Sequence, residues 1–292
     1  MPKTVIGYIY NHKGIGIEEK KFFKIAKKMN IELVPFNLSE QLDEKDIEAK
    51  AKRCDILFSD TNDSMVIELV KTVEALGKRV IEPSKVFYYP EDKWIFFLEC
   101  KKHKIPTPET ILLSDNLESA RKELENFNQW PVVLKRVYGC RGEFVDKADN
   151  LNDAIWVIKN FWKKGNERLP ILAQEFVLSD SYRVTVMGKE IVQTALKKRH
   201  GWKATGCYAT KFRKFKVDPE LKKIVEKVMK ITKIHICGVD LAKKNGRWLV
   251  IEANAEPSFK MFDCEYDIMI KKALELLRKE AGKKNSKSKK TK

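Results

Sequence analysis

Residues 238–259 read GVDLAKKNGRWLVIEANAEPSF. Two apolar stretches rich in β-formers flank an Asn-Gly pair, a strong short-range signal for a β-hairpin. Asp240, Glu252 and Asn254 interrupt positions of that hairpin that otherwise read as core. An unpartnered buried carboxylate is costly, so these side chains need a partner. A two-residue turn at Asn245-Gly246 would set Lys244 opposite Arg247 and send Asp240 and Glu252 to opposite faces. A three-residue turn, Lys244-Asn245-Gly246, with Gly246 left-handed in a bulge, sets Asp240 opposite Val250 and gathers Asp240, Glu252 and Asn254 on one face. Leu249, Ile251 and Ala253 then fill the apolar face. The bulged turn is the expectation. Hard oxygen ligands converging in this way suit Mg²⁺, which binds one or two carboxylates together with phosphate oxygens. Ion pairs with nearby lysines are the alternative use of the same groups.

At 292 residues and 43% hydrophobic composition the chain can bury a sizeable core and suggests about two domains. No stretch approaches the ~20 apolar residues of a membrane span, and the first residues hold too short an apolar run for a signal peptide. A soluble, cytoplasmic protein is expected. The six cysteines, at 54, 100, 140, 207, 237 and 264, form no Cys-x-x-Cys pair, which excludes a recognisable zinc or disulfide framework and leaves reduced, mostly buried thiols. The histidines at 12, 103, 200 and 235 show no triad-like spacing. Of the net charge of +17, +6 comes from the last ten residues, KKNSKSKKTK, read as a disordered basic tail over 282–292. That tail either aids solubility or contacts RNA or another acidic surface.

Over residues 1–90 strand-like and amphipathic segments alternate, which implies a small parallel sheet with helices on both faces. KGIGIEE within it lacks the third glycine of a dinucleotide fingerprint, since Glu19 stands there. From Pro90 the pattern changes: a helix to about Lys102, a Pro-punctuated turn, a helix near 117–127, two strands in WPVVLKRVYGCRGEFV and a helix at LNDAIWVIKNFWKK. The remainder offers a strand at ILAQEFV, a hairpin turning at Gly188, helices near 219–231 and 266–279, and the opening hairpin between them. The class is α/β followed by α+β, divided as 1–90, 91–170 and 171–281.

Lys135 ends the apolar strand VVLK and precedes a loop in which Gly139 and Gly142 would let backbone amides approach a phosphate; a plain strand terminus is the other reading. AQEFV ends a strand with a polar pair before an apolar pair, a slot in which adenine could meet backbone groups.

In this order and spacing the segments resemble the ATP-grasp superfamily, in the branch of ribosomal-protein glutamate ligases (RimK-like). The resemblance implies an ATP-grasp fold with an N-terminal pre-ATP-grasp (Rossmann-like) domain at 1–90, a central lid at 91–170 and a C-terminal metal-binding part. EDKWIFFLECKKHKIPTPET resembles the family's Asp-Lys helix, making Lys93 the first nucleotide lysine and Lys135 the second. Glu175, Phe176 and Val177 resemble the hinge that meets adenine. Asp240, Glu252 and Asn254 resemble the ligands of two Mg²⁺, with Mn²⁺ as a substitute. The implied reaction is ATP-dependent amide-bond formation through an acyl phosphate, adding an amino acid such as glutamate to a small-molecule or protein carboxylate. Arg183 and Arg199 are the candidates for holding the acyl phosphate or substrate carboxylate. Departures fall at the ribose contact, where Asp180 precedes Ser181, and on the acceptor side, where Lys203 stands for arginine, Thr205 for asparagine and Ser258 for glycine.

A second reading comes from KKRHGWKATGCYATKFRKFK, residues 197–216, which hold eight basic side chains, no acid and aromatics at 202, 208, 212 and 215. Charge interleaved with rings suits single-stranded RNA, so an RNA- or ribosome-associated protein that uses the fold without catalysis is the alternative.

Overall fold

The computed structural model describes residues 3–40, 43–59, 64–139, 142–164, 168–199, 201–203 and 211–283. Strands β1 (Thr4–Tyr10), β2 (Ile31–Asn37), β3 (Ile56–Ser59) and β4 (Val80–Ile81) form a parallel sheet in the order β2-β1-β3-β4. Helices α1 (Ile17–Lys28), α2 (Glu44–Arg53) and α3 (Ser64–Ala75) link successive strands, the crossovers that parallel pairing demands. The short α4 (Tyr88–Glu91) and α5 (Lys93–Lys102) lead into an antiparallel sheet. It comprises β5 (Thr110–Leu113), β6 (Val132–Arg136), β7 (Val145–Ala148) and β8 (Ile171–Glu175), ordered β5-β8-β6-β7, with α6 (Leu117–Phe127) and α7 (Leu151–Lys163) packed on it. The third sheet, β10-β9-β11-β12, is built from β9 (Ser181–Met187), β10 (Glu190–Lys197), β11 (Ile236–Lys244) and β12 (Arg247–Ala255). Helices α8 (Pro219–Thr232) and α9 (Tyr266–Ala281) complete the chain.

The strand that the sequence pattern set at the start of the third unit, Ile171–Glu175, lies inside the second sheet between β5 and β6. Its first four residues are buried, as befits a central strand. The second sheet has a core of its own, whereas the first and third share two apolar clusters. One joins Leu57 and Val70 to Val228 and Trp248; the other joins Tyr8 and Phe22 to Met187, Ile236 and Met269. Cys54, Cys100 and Cys237 are buried free thiols, and burial pushes Cys54 up to about 11 and Cys100 to about 12, so they are packing groups. Cys140 and Cys207, Thr205, and the tail beyond Lys283 lie outside the described residues. Among the described residues no helix is long and apolar enough to cross a membrane.

A buried carboxylate ties the first sheet to the third. Glu82, 1% exposed just after β4, accepts the backbone N–H of His235 at 2.8 Å and of Ile236 at 2.7 Å, and lies 3.1 Å from His235 Nδ1. The hydrogen bond to Glu82 holds His235 above its ordinary value against the opposing effect of burial, with Glu280 adding to the rise and Lys283 opposing it. A histidine raised in the folded state stabilises fully below its unfolded value of about 6.5 and loses that contribution as pH rises through the folded value. Stability in urea should therefore fall as pH rises above about 6.5, and Glu82→Gln should flatten that part of the profile while costing about 2–3 kcal/mol. Equal slopes in the two proteins would refute the pairing.

Candidate active site

The register of the opening hairpin corrects the expected turn. Lys244 pairs with Arg247, so the turn has two residues, with Asn245 at φ 51° and Gly246 at φ 80°. These are the left-handed conformations of a type I′ turn, which matches strand twist better than a wider loop. The change of parity comes from further up: Leu241 pairs with Val250 but Asp240 with Glu252, so Ile251 is an extra, bulged residue. Asp240, Glu252 and Asn254 do share a face, through a bulge within the strand. The apolar face changes accordingly: Trp248 and Val250 are buried before the bulge, Ala253 and Ala255 after it, and Leu249 and Ile251 are only half-buried. A Cβ on Gly238 would come within 2.9 Å of Pro257 Cβ, so the glycine lets the turn after β12 fold back beside the carboxylates.

Arg183 on β9 pairs with Asp240 on β11, which pairs with Glu252 on β12, forming one row across three strands. The Arg183 guanidinium clamps Asp240 with Nε–Oδ1 and Nη2–Oδ2 both at 2.6 Å, a bidentate geometry. Asn254 Nδ2 donates to Asp240 Oδ2 at 3.0 Å and to Glu252 Oε1 at 3.3 Å. Burial pushes Asp240 up, and the adjacent Glu252 adds to the rise against Arg183. Burial would raise Glu252 as well, but Lys93, Lys135 and Arg183 outweigh it and hold that carboxyl low. The pair is thus split by its surroundings, with Glu252 the more firmly ionised.

Lys135, at the buried end of β6, is lowered by burial to about 8; Glu252 raises it and Lys93 lowers it further. Its Nζ donates to Gln174 Oε1 at 2.9 Å, Gln174 Nε2 donates to Thr110 Oγ1 at 2.8 Å, and that hydroxyl donates to the Pro108 carbonyl at 3.0 Å. The sequence marked Gln174 only as one of a polar pair; its role in orienting Lys135 needs the pairing of β8 with both β5 and β6. Lys93 opens α5 because Asp92 caps the helix through the N–H groups of Trp94 and Ile95, while the other Asp92 oxygen accepts from Tyr138 OH at 3.2 Å. Lys93 Nζ donates to the Gly139 carbonyl at 2.6 Å. Gly139 and Gly142 have φ of 142° and 68°, values that favour glycine.

At the hinge, Glu175 N–H donates to the Glu109 carbonyl at 2.8 Å and Phe176 N–H to the Pro131 carbonyl at 3.2 Å, and the Glu175 carboxylate is paired with Lys244. Asp180 binds Lys198 at 2.9 Å and accepts the Arg199 N–H at 3.0 Å; the Lys198 contact, opposed by burial, keeps its carboxyl low. A cavity of about 850 Å³ brings together Lys93, Lys135, Gly139, Gly142, Glu175, Phe176, Val177, Asp180, Ser181, Arg183, Lys203, Asp240, Glu252 and Asn254. Arg199 is exposed and does not line it. Trp202 and Phe212 line the same cavity, whereas Phe215 packs 5.2 Å from Tyr182 and 5.8 Å from Trp248, so these rings do not make an exposed base-stacking platform; Tyr208 lies outside the described residues.

Among the described residues no group of three or more His, Cys, Asp and Glu is placed to hold a metal. A divalent cation here would rest on Asp240, Glu252 and the Asn254 amide oxygen, with its remaining ligands supplied by phosphate and water. An all-oxygen donor set of that kind fits Mg²⁺.

The family profile for the RimK-like ATP-grasp domain matches residues 90–278. The coenzyme γ-F420-2:α-L-glutamate ligase of Methanocaldococcus jannaschii is 29% identical over 202 residues, 67% of this chain and 68% of that protein. The α-aminoadipate–LysW ligase LysX of Saccharolobus solfataricus is 29% identical over 194 residues, 64% of this chain and 70% of its own. Among solved structures, a RimK domain ATP-grasp protein of Sphaerobacter thermophilus superposes with a TM-score of 0.73 at 15% identity, covering 94% of this chain and 99% of the other. The D-alanine–D-alanine ligase of Bacillus anthracis complexed with ATP gives 0.68 at 18% identity, over 97% and 100%. The fold is therefore ATP-grasp, of the α/β class.

The row across β9, β11 and β12 makes a prediction free of any ligand. Arg183→Met should cost about 3 kcal/mol in urea denaturation, because it strands Asp240 in a buried setting, and far less in an Asp240→Asn background. Equal costs in both backgrounds would mean that the clamp contributes nothing to folding.

Proposed function

Because the chain belongs to the RimK-like ATP-grasp family, we propose that this cavity binds ATP with Mg²⁺, or Mn²⁺ in its place, and joins an amino acid to a carboxylate acceptor through an acyl phosphate. The protein is an ATP-dependent ligase that forms C–N bonds. The observation that carries the reading is the cross-strand pair of Asp240 and Glu252 lining one cavity with Asn254, Lys93 and Lys135. Metal-binding acceptors and phosphate-binding donors in one cavity suit phosphoryl transfer. Glutamate is the first choice of amino acid, since the relatives above are named for glutamate and α-aminoadipate, both amino dicarboxylic acids.

A carboxylate resists amines because its oxygen is a poor leaving group. Lys135, fixed by Gln174, and Lys93 neutralise the phosphates as an acceptor carboxylate oxygen attacks the γ-phosphorus and ADP departs. Bound Mg²⁺ would add Lewis-acid stabilisation of the transferred charge, held by Asp240, Glu252 and Asn254. In this reading Arg183, already clamped to Asp240, adds positive charge beside the acyl phosphate. The amine then attacks the acyl carbon, phosphate leaves, and the ammonium loses its proton to solvent. No protein nucleophile is required. Val133, Leu241 and Ile251 with Phe176 offer adenine an apolar slot.

Turnover should release ADP and phosphate, and hydroxylamine should trap the activated carboxylate as a hydroxamate when glutamate, α-aminoadipate or acidic peptides are supplied. Glu252→Gln should reduce both signals at least ~10²-fold, as loss of a charge at the phosphate site would. ADP release from no carboxylate above the Glu252→Gln background would sink the ligase chemistry.

Lys135 makes a separate prediction about binding. An ammonium lowered to about 8 is lost above that pH, so calorimetric ADP affinity should decline from pH 7 to 9. Lys135→Ala should bind at least about tenfold more weakly, with a flat pH profile. An unchanged profile in the variant would remove Lys135 from the phosphates.

A further inference from the structure

Lys203 was expected to meet the acceptor, as the counterpart of a family arginine, yet its ammonium is engaged elsewhere. Lys203 Nζ donates to the Gly142 carbonyl at 2.7 Å and to the Val145 carbonyl at 3.1 Å, and lies 5.8 Å from the Trp202 ring centroid. Those carbonyls belong to the descending arm of the β6–β7 connection, where Arg136 N–H donates to Phe144 O at 3.1 Å and Lys135 pairs with Val145. On the ascending arm, Lys93 Nζ donates to Gly139 O at 2.6 Å and reaches Val137 O at 3.5 Å. The two described arms of that connection, 137–139 and 142–145, are thus each held by an ammonium group. Their origins differ: Lys93 opens α5, whereas Lys203 follows β10 of the third sheet.

We propose that Lys203 is a positioning residue that fastens the β6–β7 arm to the third sheet across the cavity and so sets how long a nucleotide is retained. The inference rests on the nucleotide reading above. An ammonium bonded to two carbonyls is strong where water is partly excluded. The two grips also differ in fate. Phosphate is a better partner than a neutral carbonyl for Lys93, so ligand binding draws Lys93 from the ascending arm. Lys203 loses nothing in that exchange, because its partners lie on the other arm, and it keeps the connection docked while Lys93 turns to the ligand. Trp202, next to Lys203 in the chain, lines the same cavity.

The test uses the full chain with Lys203→Met, Lys203→Gln and Lys203→Arg. Hydrogen exchange of peptides spanning 137–145, in nucleotide-free protein, reads the docking itself. Stopped-flow dissociation of the fluorescent probe mant-ADP with Mg²⁺ reads retention. Lys203→Met should exchange faster over 137–145 alone and release mant-ADP at least about tenfold faster, Lys203→Arg should stay near wild type, and Lys203→Gln should fall between. A wild-type release rate and exchange pattern in Lys203→Met and Lys203→Gln would overturn the proposal while leaving the nucleotide site standing. If Lys203→Met does not fold, Lys203→Gln against Lys203→Arg decides on the same two readouts. A wild type that retains no mant-ADP would defeat the nucleotide reading and the retention role with it, a failure recognisable because it appears before any substitution.

Discussion

Two carboxylates set directly opposite each other on adjacent strands are the constraint around which the molecule is built. Asp240 and Glu252 are a cross-strand pair, an arrangement that like charges destabilise. Hydrogen bonds from Asn254 relieve part of the repulsion, and the Arg183 fork takes both oxygens of Asp240. Glu252 is compensated from outside the third sheet, by Lys93 at the start of α5 and Lys135 at the end of β6. The pair is thus compensated by three cations drawn from three different elements, β9, α5 and β6.

That compensation has to cross a structural divide. The first and third sheets share their apolar clusters, while among the described residues the second sheet's cluster is made with its own helices. What joins the second sheet to the third near the site is mostly polar: Val250 N–H to the Pro106 carbonyl at 2.8 Å, Lys243 N–H to Ser179 Oγ at 2.9 Å, the Lys244–Glu175 ion pair, and Lys203 on the β6–β7 arm. Polar contacts that water can replace allow relative movement that a continuous apolar core would forbid. Under the proposed function, Lys135 and Lys93 would draw the sheets together around the nucleotide phosphates.

What the sequence revealed, and what it concealed, follows from the range of the interactions involved. Helix ends governed by local chemistry were legible: Asp218 with Pro219 starts α8, and the span 117–127 of α6 agrees to the residue. The hairpin shows the limit. Periodicity demanded that Asp240 and Glu252 share a face, which they do, but the Asn-Gly turn takes its preferred two-residue form and the extra residue is Ile251, a β-former with no bulge signature. Glu82 could not be singled out in KRVIEP, because its partners lie over 150 residues away. Arg199 and Phe215 were read for their chemistry, and only tertiary packing could show the first to be exposed and the second to be part of an aromatic cluster with Tyr182 and Trp248.

The same contrast separates the two halves of the site. Phosphates and a hard cation impose nearly fixed demands, so residue type and order are enough to propose Lys93, Lys135, Asp240, Glu252 and Asn254 for them. An acceptor imposes demands particular to itself, so Trp202, Phe212, Met261 and Ser258, which line the same cavity, carry no comparable mark in the sequence. Ser258 replaces the glycine expected from the resemblance, and its Oγ accepts the Lys260 N–H at 3.3 Å, so the loop after β12 is shaped by a side chain of its own. Lys203 illustrates the consequence. Placed in a family pattern it reads as an acceptor ligand, yet two neighbouring carbonyls claim its charge, and a shared position has become a different physical task.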